Sequence, residues 1–183
     1  IGTVLTELGQ YDLALDHFSV ATRISEAIND IDGLPYNQDA VGDVFLRKKD
    51  FKKAESNLIK ALKNTKARKL TVLEPRVLKH LARLYFETEQ FDMALASYDS
   101  AAKIYKNNSN HFGVAEVDLG ISEILIAQDR FDEAQKKIEA SLATAKNFNA
   151  DKMSIDCYKL LSNLAERKED FIDALDYYKK YKQ

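Results

Sequence analysis

An aromatic residue stands at every fortieth position of this chain: Tyr11, Phe51, Phe91, Phe131 and Phe171. Three residues after each comes an alanine, at Ala14, Ala54, Ala94, Ala134 and Ala174. Seven after each comes a large side chain, at Phe18, Leu58, Tyr98, Ile138 and Tyr178. Nine before each comes a small one, at Gly2, Gly42, Ala82, Ser122 and Ser162, and ten before an aliphatic one, at Ile1, Val41, Leu81, Ile121 and Leu161. Five units in register without an insertion mark an internal repeat, and a repeat of this length restricts the chain to a stacked array.

Spacings of three, four and seven place residues on one face of an α-helix. Each unit holds two such faces, parted by a polar break at Gly9-Gln10, Lys49-Asp50, Glu89-Gln90, Asp129-Arg130 or Glu169-Asp170. Asp50 and Asp170 stand where a side-chain oxygen can cap the helix that follows. Pro35 and Pro75, one period apart, stand near helix starts, where proline is tolerated. Two prolines in 183 residues also disfavour an all-β chain. The pattern predicts first helices near 1–8, 34–48, 73–88, 111–128 and 151–168, and second helices near 11–28, 51–67, 91–106, 131–146 and 171–183. Small residues facing small residues let paired helices approach closely. A lone pair cannot bury both of its apolar faces, so the pairs must stack.

The Gly-Gln-Tyr-Asp-Leu-Ala-Leu run at 9–15 and the Phe-Asp-Met-Ala-Leu run at 91–95 resemble the second-helix signature of the tetratricopeptide repeat family. Gly42, Phe51, Ala54 and Ala61 fit the same pattern, and the resemblance extends over the whole chain. The spacing departs from the usual period of about 34 residues. The aromatic usual near the start of the first helix is replaced by Gln38, Leu78 and Asp118, and kept at Tyr158. The resemblance implies an all-α, right-handed α-solenoid of five helix-turn-helix units: 1–30, 31–70, 71–110, 111–150 and 151–183. It implies one superhelical domain, read as a piece of a longer protein. The longer period resembles repeats of scaffold and signalling proteins, including bacterial ones.

The family resemblance implies recognition of a protein or peptide on a concave side lined by first helices, and no catalysis. The candidate groove residues are Asp39, Asp43, Arg76, Lys79, Arg83, Phe86, Glu123, Lys159 and Asn163, and Ile126 is placed on the same solvent side. Arg76, Lys79 and Arg83 form the expected basic centre, with Phe86 as an apolar contact. One row reads Thr3, Asp43, Arg83, Glu123, Asn163. Its alternating charge fits a ladder of exposed ion pairs, each worth little, and equally a groove for a peptide of mixed charge. Some members hold a C-terminal carboxylate with Lys and Asn. The matching places here hold Thr3, Ala40, Arg76 and His80, a poor fit, and a second register gives Lys159 and Asn163.

The formal net charge is -2, which exerts no global pull toward nucleic acid or membrane. The distribution is uneven. Residues 1–43 carry eight acids and one base, Arg23, while residues 47–69 carry ten bases and two acids. The basic run reads as a solvated outer face or as a patch for an acidic partner, which includes self-association. It contains no aromatic platform for nucleic-acid bases. No apolar run is long enough to span a membrane.

Little in the sequence supports chemistry. His17, His80 and His111 are scattered, and a lone Cys157 makes neither a disulfide nor a cysteine zinc cluster. The six glycines form no phosphate loop. No catalytic residue, cofactor or metal site is expected. The expected function is a protein- or peptide-binding module. The alternative is a sensory or regulatory segment of a bacterial signalling protein, attached to a nucleotide cyclase, kinase or DNA-binding domain.

Overall fold

A computed structural model describes residues 1–182. Its described residues form ten helices joined by short turns: α1 (Gly2–Glu7), α2 (Tyr11–Ala27), α3 (Gly33–Arg47), α4 (Phe51–Ala67), α5 (Glu74–Glu87), α6 (Phe91–Asn107), α7 (His111–Ala127), α8 (Phe131–Asn147), α9 (Asp151–Arg167) and α10 (Phe171–Lys182). These bounds fall within a residue of the expected ones, and Gln183, the expected end of the last helix, lies outside the described residues.

The turns share one backbone device. Gly9, Asn29, Lys49, Lys69, Glu89, Ser109, Asp129, Asn149 and Glu169 all have positive φ, between 52° and 73°. They recur every twenty residues, once after every helix from α1 to α9. Each is flanked by the same two backbone bonds. After α3, Lys49 N–H donates to Leu46 C=O at 2.9 Å and Asp50 N–H to Phe45 C=O at 2.9 Å. After α7, Asp129 N–H donates to Ile126 C=O at 3.1 Å and Arg130 N–H to Leu125 C=O at 2.9 Å. This is the Schellman closure, which satisfies the orphan carbonyls at a helix end. Only Gly9 is a glycine, so the other eight positions hold a Cβ in the left-handed region.

Side chains close the other ends of three helices as well. Asp50 accepts from Lys53 N–H at 3.2 Å, and Asp170 from Asp173 N–H at 3.2 Å, as the sequence suggested. Asn110 does the same for α7, accepting from Gly113 N–H at 2.8 Å. Pro35 and Pro75 lie within the first turns of α3 and α5.

The helices fall into two compact units, one over Ile1–Ser100 and one from Ala101 onward, with α6 running across the boundary. In the first unit, α1 packs on α2, α2 on α3, α3 on α4, α4 on α5, and α3 also on α5. In the second, α7 packs on α8, α8 on α9, α9 on α10, and α7 also on α9. Antiparallel neighbours alternate with like-placed helices one repeat apart.

The repeated residues are the core. Ala14, Ala54, Ala94 and Ala134 are completely buried, and so are Leu58 and Ile138. Each large side chain so buried contributes about 1.5–3 kcal/mol. The small row does more than leave space. Ser122 Oγ donates to Asp118 C=O at 2.7 Å and lies 3.5 Å from Ala134 C=O, and Ser162 Oγ donates to Ala174 C=O at 2.9 Å. The hydroxyl thus reaches the facing backbone at the alanine where the two helices come closest. At Gly42 the approach is tighter: a Cβ there would lie 2.6 Å from Leu58 Cγ.

Two stability measurements check this packing and turn geometry. Gly42→Ala should destabilise by about 1 kcal/mol or more, because overpacking costs typically 1–3 kcal/mol while helical propensity returns at most about 1. Urea unfolding monitored by helicity reads the difference. Glu89→Gly and Glu169→Gly should each stabilise by roughly 0.5–1 kcal/mol, the left-handed strain of a Cβ less the added chain entropy of glycine. An unchanged midpoint for both glycine variants would refute the claim that these turns are strained.

Candidate functional site

The expected groove residues fall on the first helices of both units. Asp39 and Asp43 lie on α3, and Arg76, Lys79, Arg83 and Phe86 on α5, all in the first unit. Glu123 lies on α7, and Lys159 and Asn163 on α9, in the second. Asp43, Lys79, Arg83, Phe86 and Glu123 are half-buried, whereas Arg76, Lys159 and Asn163 are exposed.

Two placements are corrected. Asp39 was expected toward solvent, yet it is 1% exposed. Ile126, placed on the same side, is 4% exposed and belongs to the core. For Ile126 the reason lies in its row: Leu46 occupies the same place in α3 and is buried too. Asp39 is buried because two basic side chains cover it. Arg76 Nε donates to its Oδ2 at 2.7 Å, and His80 Nδ1 meets its Oδ1 at 2.7 Å. One carboxylate on α3 thus holds two side chains from successive turns of α5.

The electrostatics follow from this arrangement. Burial pushes the Asp39 carboxyl up. The charge and hydrogen bond of His80, followed by those of Arg76, outweigh burial and hold it below the usual carboxylate range. Burial also opposes protonation of His80, but the charge and hydrogen bond of Asp39, with a smaller contribution from Asp43, raise its pKa above the ordinary imidazole value, against Lys79. At neutral pH the cluster is therefore an ionised acid between two bases, joined in one network.

Arg76 is held on a second side. Its guanidinium carbon lies 5.4 Å from the ring centroid of Tyr36 on α3, close enough for cation–π attraction. Its side chain nevertheless stays 44% exposed. Arg83 is similarly dressed, lying 5.2 Å over the Phe86 ring and pairing with Glu87 at 2.7 Å. Phe86 in turn packs on Phe91 with ring centroids 6.0 Å apart. The basic centre is thus a set of oriented side chains rather than a row of loose ones.

Part of the charge asymmetry is also resolved. Arg47 pairs with Glu7 at 2.8 Å and with Asp43 at 3.1 Å, Lys48 with Asp12 at 2.6 Å, and Arg68 with Asp32 at 3.4 Å. In the second unit, Arg167 pairs with Asp129 at 2.6 Å and Lys168 with Asp132 at 3.6 Å. Ion pairs therefore cross between turns about one repeat apart. Each is partly exposed and contributes about 0–1 kcal/mol.

Among the described residues, no group of three or more His, Cys, Asp and Glu is placed to hold a metal ion. No helix among them is long and apolar enough to cross a membrane. Cys157 is buried within α9, and its thiol is pushed up to about 12 by burial, with the Asp156 charge adding to it. It stays protonated at neutral pH, and a protonated thiol is a poor nucleophile.

Three comparisons place this geometry among known proteins. Residues 76–108 match the tetratricopeptide repeat family model. No curated protein matches the chain. Among solved structures, BtubC (BKLC) from P. vanneervenii is 21% identical, with a TM-score of 0.74 over 93% of this chain and 72% of its own. A Podosopora anserina kinesin-light-chain-like protein of nearly identical TPR-like repeats is 12% identical, with a TM-score of 0.69 over 99% and 90%. MamA from AMB-1 is 18% identical, with a TM-score of 0.59 over 99% and 93%. At these identities the likeness is one of fold.

The pH dependence of the Asp39 cluster is open to direct measurement. The raised His80 pKa means that its contribution to stability is full below the unfolded value of about 6.5 and fades as pH rises through the native value. The lowered Asp39 pKa means that its contribution is full above about 3.9 and is lost as pH falls through the native value. The difference in melting temperature between the native chain and His80→Gln should therefore be largest between these limits and shrink on the alkaline side. A difference that grows with pH would contradict an ionised pair.

Proposed function

We propose that this chain, a tetratricopeptide-repeat solenoid in fold, is a protein- or peptide-recognition module. The first helices supply its contact surface, with Arg76, Lys79, Arg83 and Phe86 at the centre in the first unit. The single observation that carries this reading is the fixing of Arg76. A buried carboxylate and an aromatic face orient a guanidinium that is still 44% exposed. Such prior ordering lowers the entropy lost when an anionic group binds. Asp43 beside these bases gives the surface of the first unit a mixed polar character suited to a peptide, and Glu123, Lys159 and Asn163 are the corresponding candidates within the second unit. We read the module as a scaffold without catalytic activity of its own.

A second reading is a regulatory segment of a bacterial signalling protein with an attached output domain, and α10 is the element that bears on it. Phe171, Ile172, Leu175 and Tyr178 there are 45–84% exposed, and Tyr178 is the register mate of the fully buried Leu58 and Ile138. A face of this kind suits a further helical element. A coiled coil leading into a catalytic or DNA-binding domain, found directly after Gln183, would favour this second reading over the scaffold.

The surface is tested by selecting binders from a displayed random-peptide library and measuring them against variants. Arg76 is left in place, because its removal would strand the buried Asp39. The pair Lys79→Glu and Arg83→Glu should weaken the selected peptides by at least about tenfold while helicity is kept. Equal affinity for the variant would move the site away from α5. Failure to enrich any peptide would count against a recognition module of this kind.

A further inference from the structure

The ten bases of residues 47–69 are divided by the structure into two sets. Arg47, Lys48, Lys53, Lys66 and Arg68 are each paired with a carboxylate: Glu7 and Asp43, Asp12, Asp50, Glu74 and Asp32 respectively. Lys49, Lys52, Lys60, Lys63 and Lys69 have no such pair among the described residues, and all five are exposed. Three of these five share one face of α4. At 100° per residue, Lys52, Lys60 and Lys63 fall within an arc of about 80°, with Ser56, Ile59 and Ala67 in or beside it. The face looks away from α3 and α5, against which α4 packs. From Lys52 to Lys63 it runs about 17 Å along the axis. The one carboxylate within α4, Glu55, lies about 60° outside the arc.

No other second helix carries this pattern. At the places of Lys52, Lys60 and Lys63, α2 holds Asp12, Val20 and Arg23, while α8 holds Asp132, Ala140 and Ala143. Neither fold nor stability requires three like charges within one arc, since they repel one another and satisfy no internal group.

We propose that this lysine face of α4 is a second docking surface, separate from the first helices, and that its occupant is an acidic amphipathic helix of a partner protein. Charge complementarity sets the acidic character. The make-up of the face sets the kind of partner. Lysines stand toward both ends, with Ser56 and the 48%-exposed Ile59 between them, so an apolar residue flanked by carboxylates fits. A bilayer would call for a row of bulky apolar residues along the stripe, and Ile59 stands alone. A nucleic acid would call for aromatic platforms or guanidinium forks, and the face has neither.

The test uses a fluorescein-labelled amphipathic peptide of about eighteen residues, with glutamates on one face and leucines beside them. Binding is read by anisotropy at physiological ionic strength, in parallel with a single-stranded oligodeoxynucleotide and with phosphatidylserine vesicles. Lys52→Glu, Lys60→Glu and Lys63→Glu together should weaken the peptide at least tenfold, and the Gln versions less, each with native helicity by circular dichroism. A control reversing Lys103, Lys136 and Lys146 on α6 and α8 should shift binding by less than about twofold, since long-range effects are screened. Absent binding, or equal loss in the control, would overturn the proposal. So would tighter capture of the oligonucleotide or vesicles through the same lysines. Self-association abolished by the α4 variant without peptide binding would overturn it too, making a second copy the occupant.

Discussion

A helix of seventeen residues completes a little under five turns, and three more residues bring the chain back antiparallel. The second residue after each helix is left-handed at every turn from Gly9 to Glu169, also in the longer connections at 28–32 and 68–73. That fixed twenty-residue step keeps the helices in one rotational phase. Because the phase is kept, the alanine row meets the small row, and the large row fills the joint to the next pair. Were the turns to vary, Ala54 and Gly42 would no longer face each other, and the close approach at Leu58 would be lost. The ion pairs depend on it equally. Arg47 reaches Glu7, and Arg167 reaches Asp129, because turns about one repeat apart come side by side. The eight strained non-glycine turns are the local cost of this uniformity.

The helices were legible because periodicity is a long-range average: each face repeats its chemistry over several turns. The turns were legible as polar breaks but not as left-handed residues, since Lys, Glu and Ser carry little preference for that region. Asp39 was misplaced for a different reason. The row it occupies holds Lys79, Leu119 and Lys159, which gives no single environment for the position. The informative signal lay across the repeat: Arg76 and His80 stand 37 and 41 positions later, bracketing one period. An acid with two bases at such offsets, in an array whose neighbours are forty residues apart, is a cluster in waiting. Net charge could not show it, and neither could it show that half the basic run is consumed by pairs while Lys52, Lys60 and Lys63 line one face of α4.

Two kinds of surface result from one scaffold. On the first helices, side chains are fixed by partners: Asp39 and Tyr36 hold Arg76, and Phe86 underlies Arg83. On the proposed reading, a ligand there would meet groups whose conformations are already chosen, which favours discrimination by geometry. On α4, Lys52, Lys60 and Lys63 are long, exposed and without an ion pair among the described residues, which favours attraction by charge with little demand on shape. Contacts of the second kind respond steeply to ionic strength, and those of the first kind much less. The two surfaces are therefore chemically independent.

The twenty-residue step also limits how such a chain can change over time. Deleting or inserting one residue inside any helix would rotate everything after it by about 100° relative to everything before. Apolar stripes downstream would swing into water, and the close contact at Gly42 would be replaced by whatever came next in the row. A single-residue length change within a helix is thus far more damaging than most substitutions. Gain or loss of a whole forty-residue pair preserves every contact rule. Chains of this architecture should lengthen and shorten in whole pairs, with rare intermediate lengths confined to the turns.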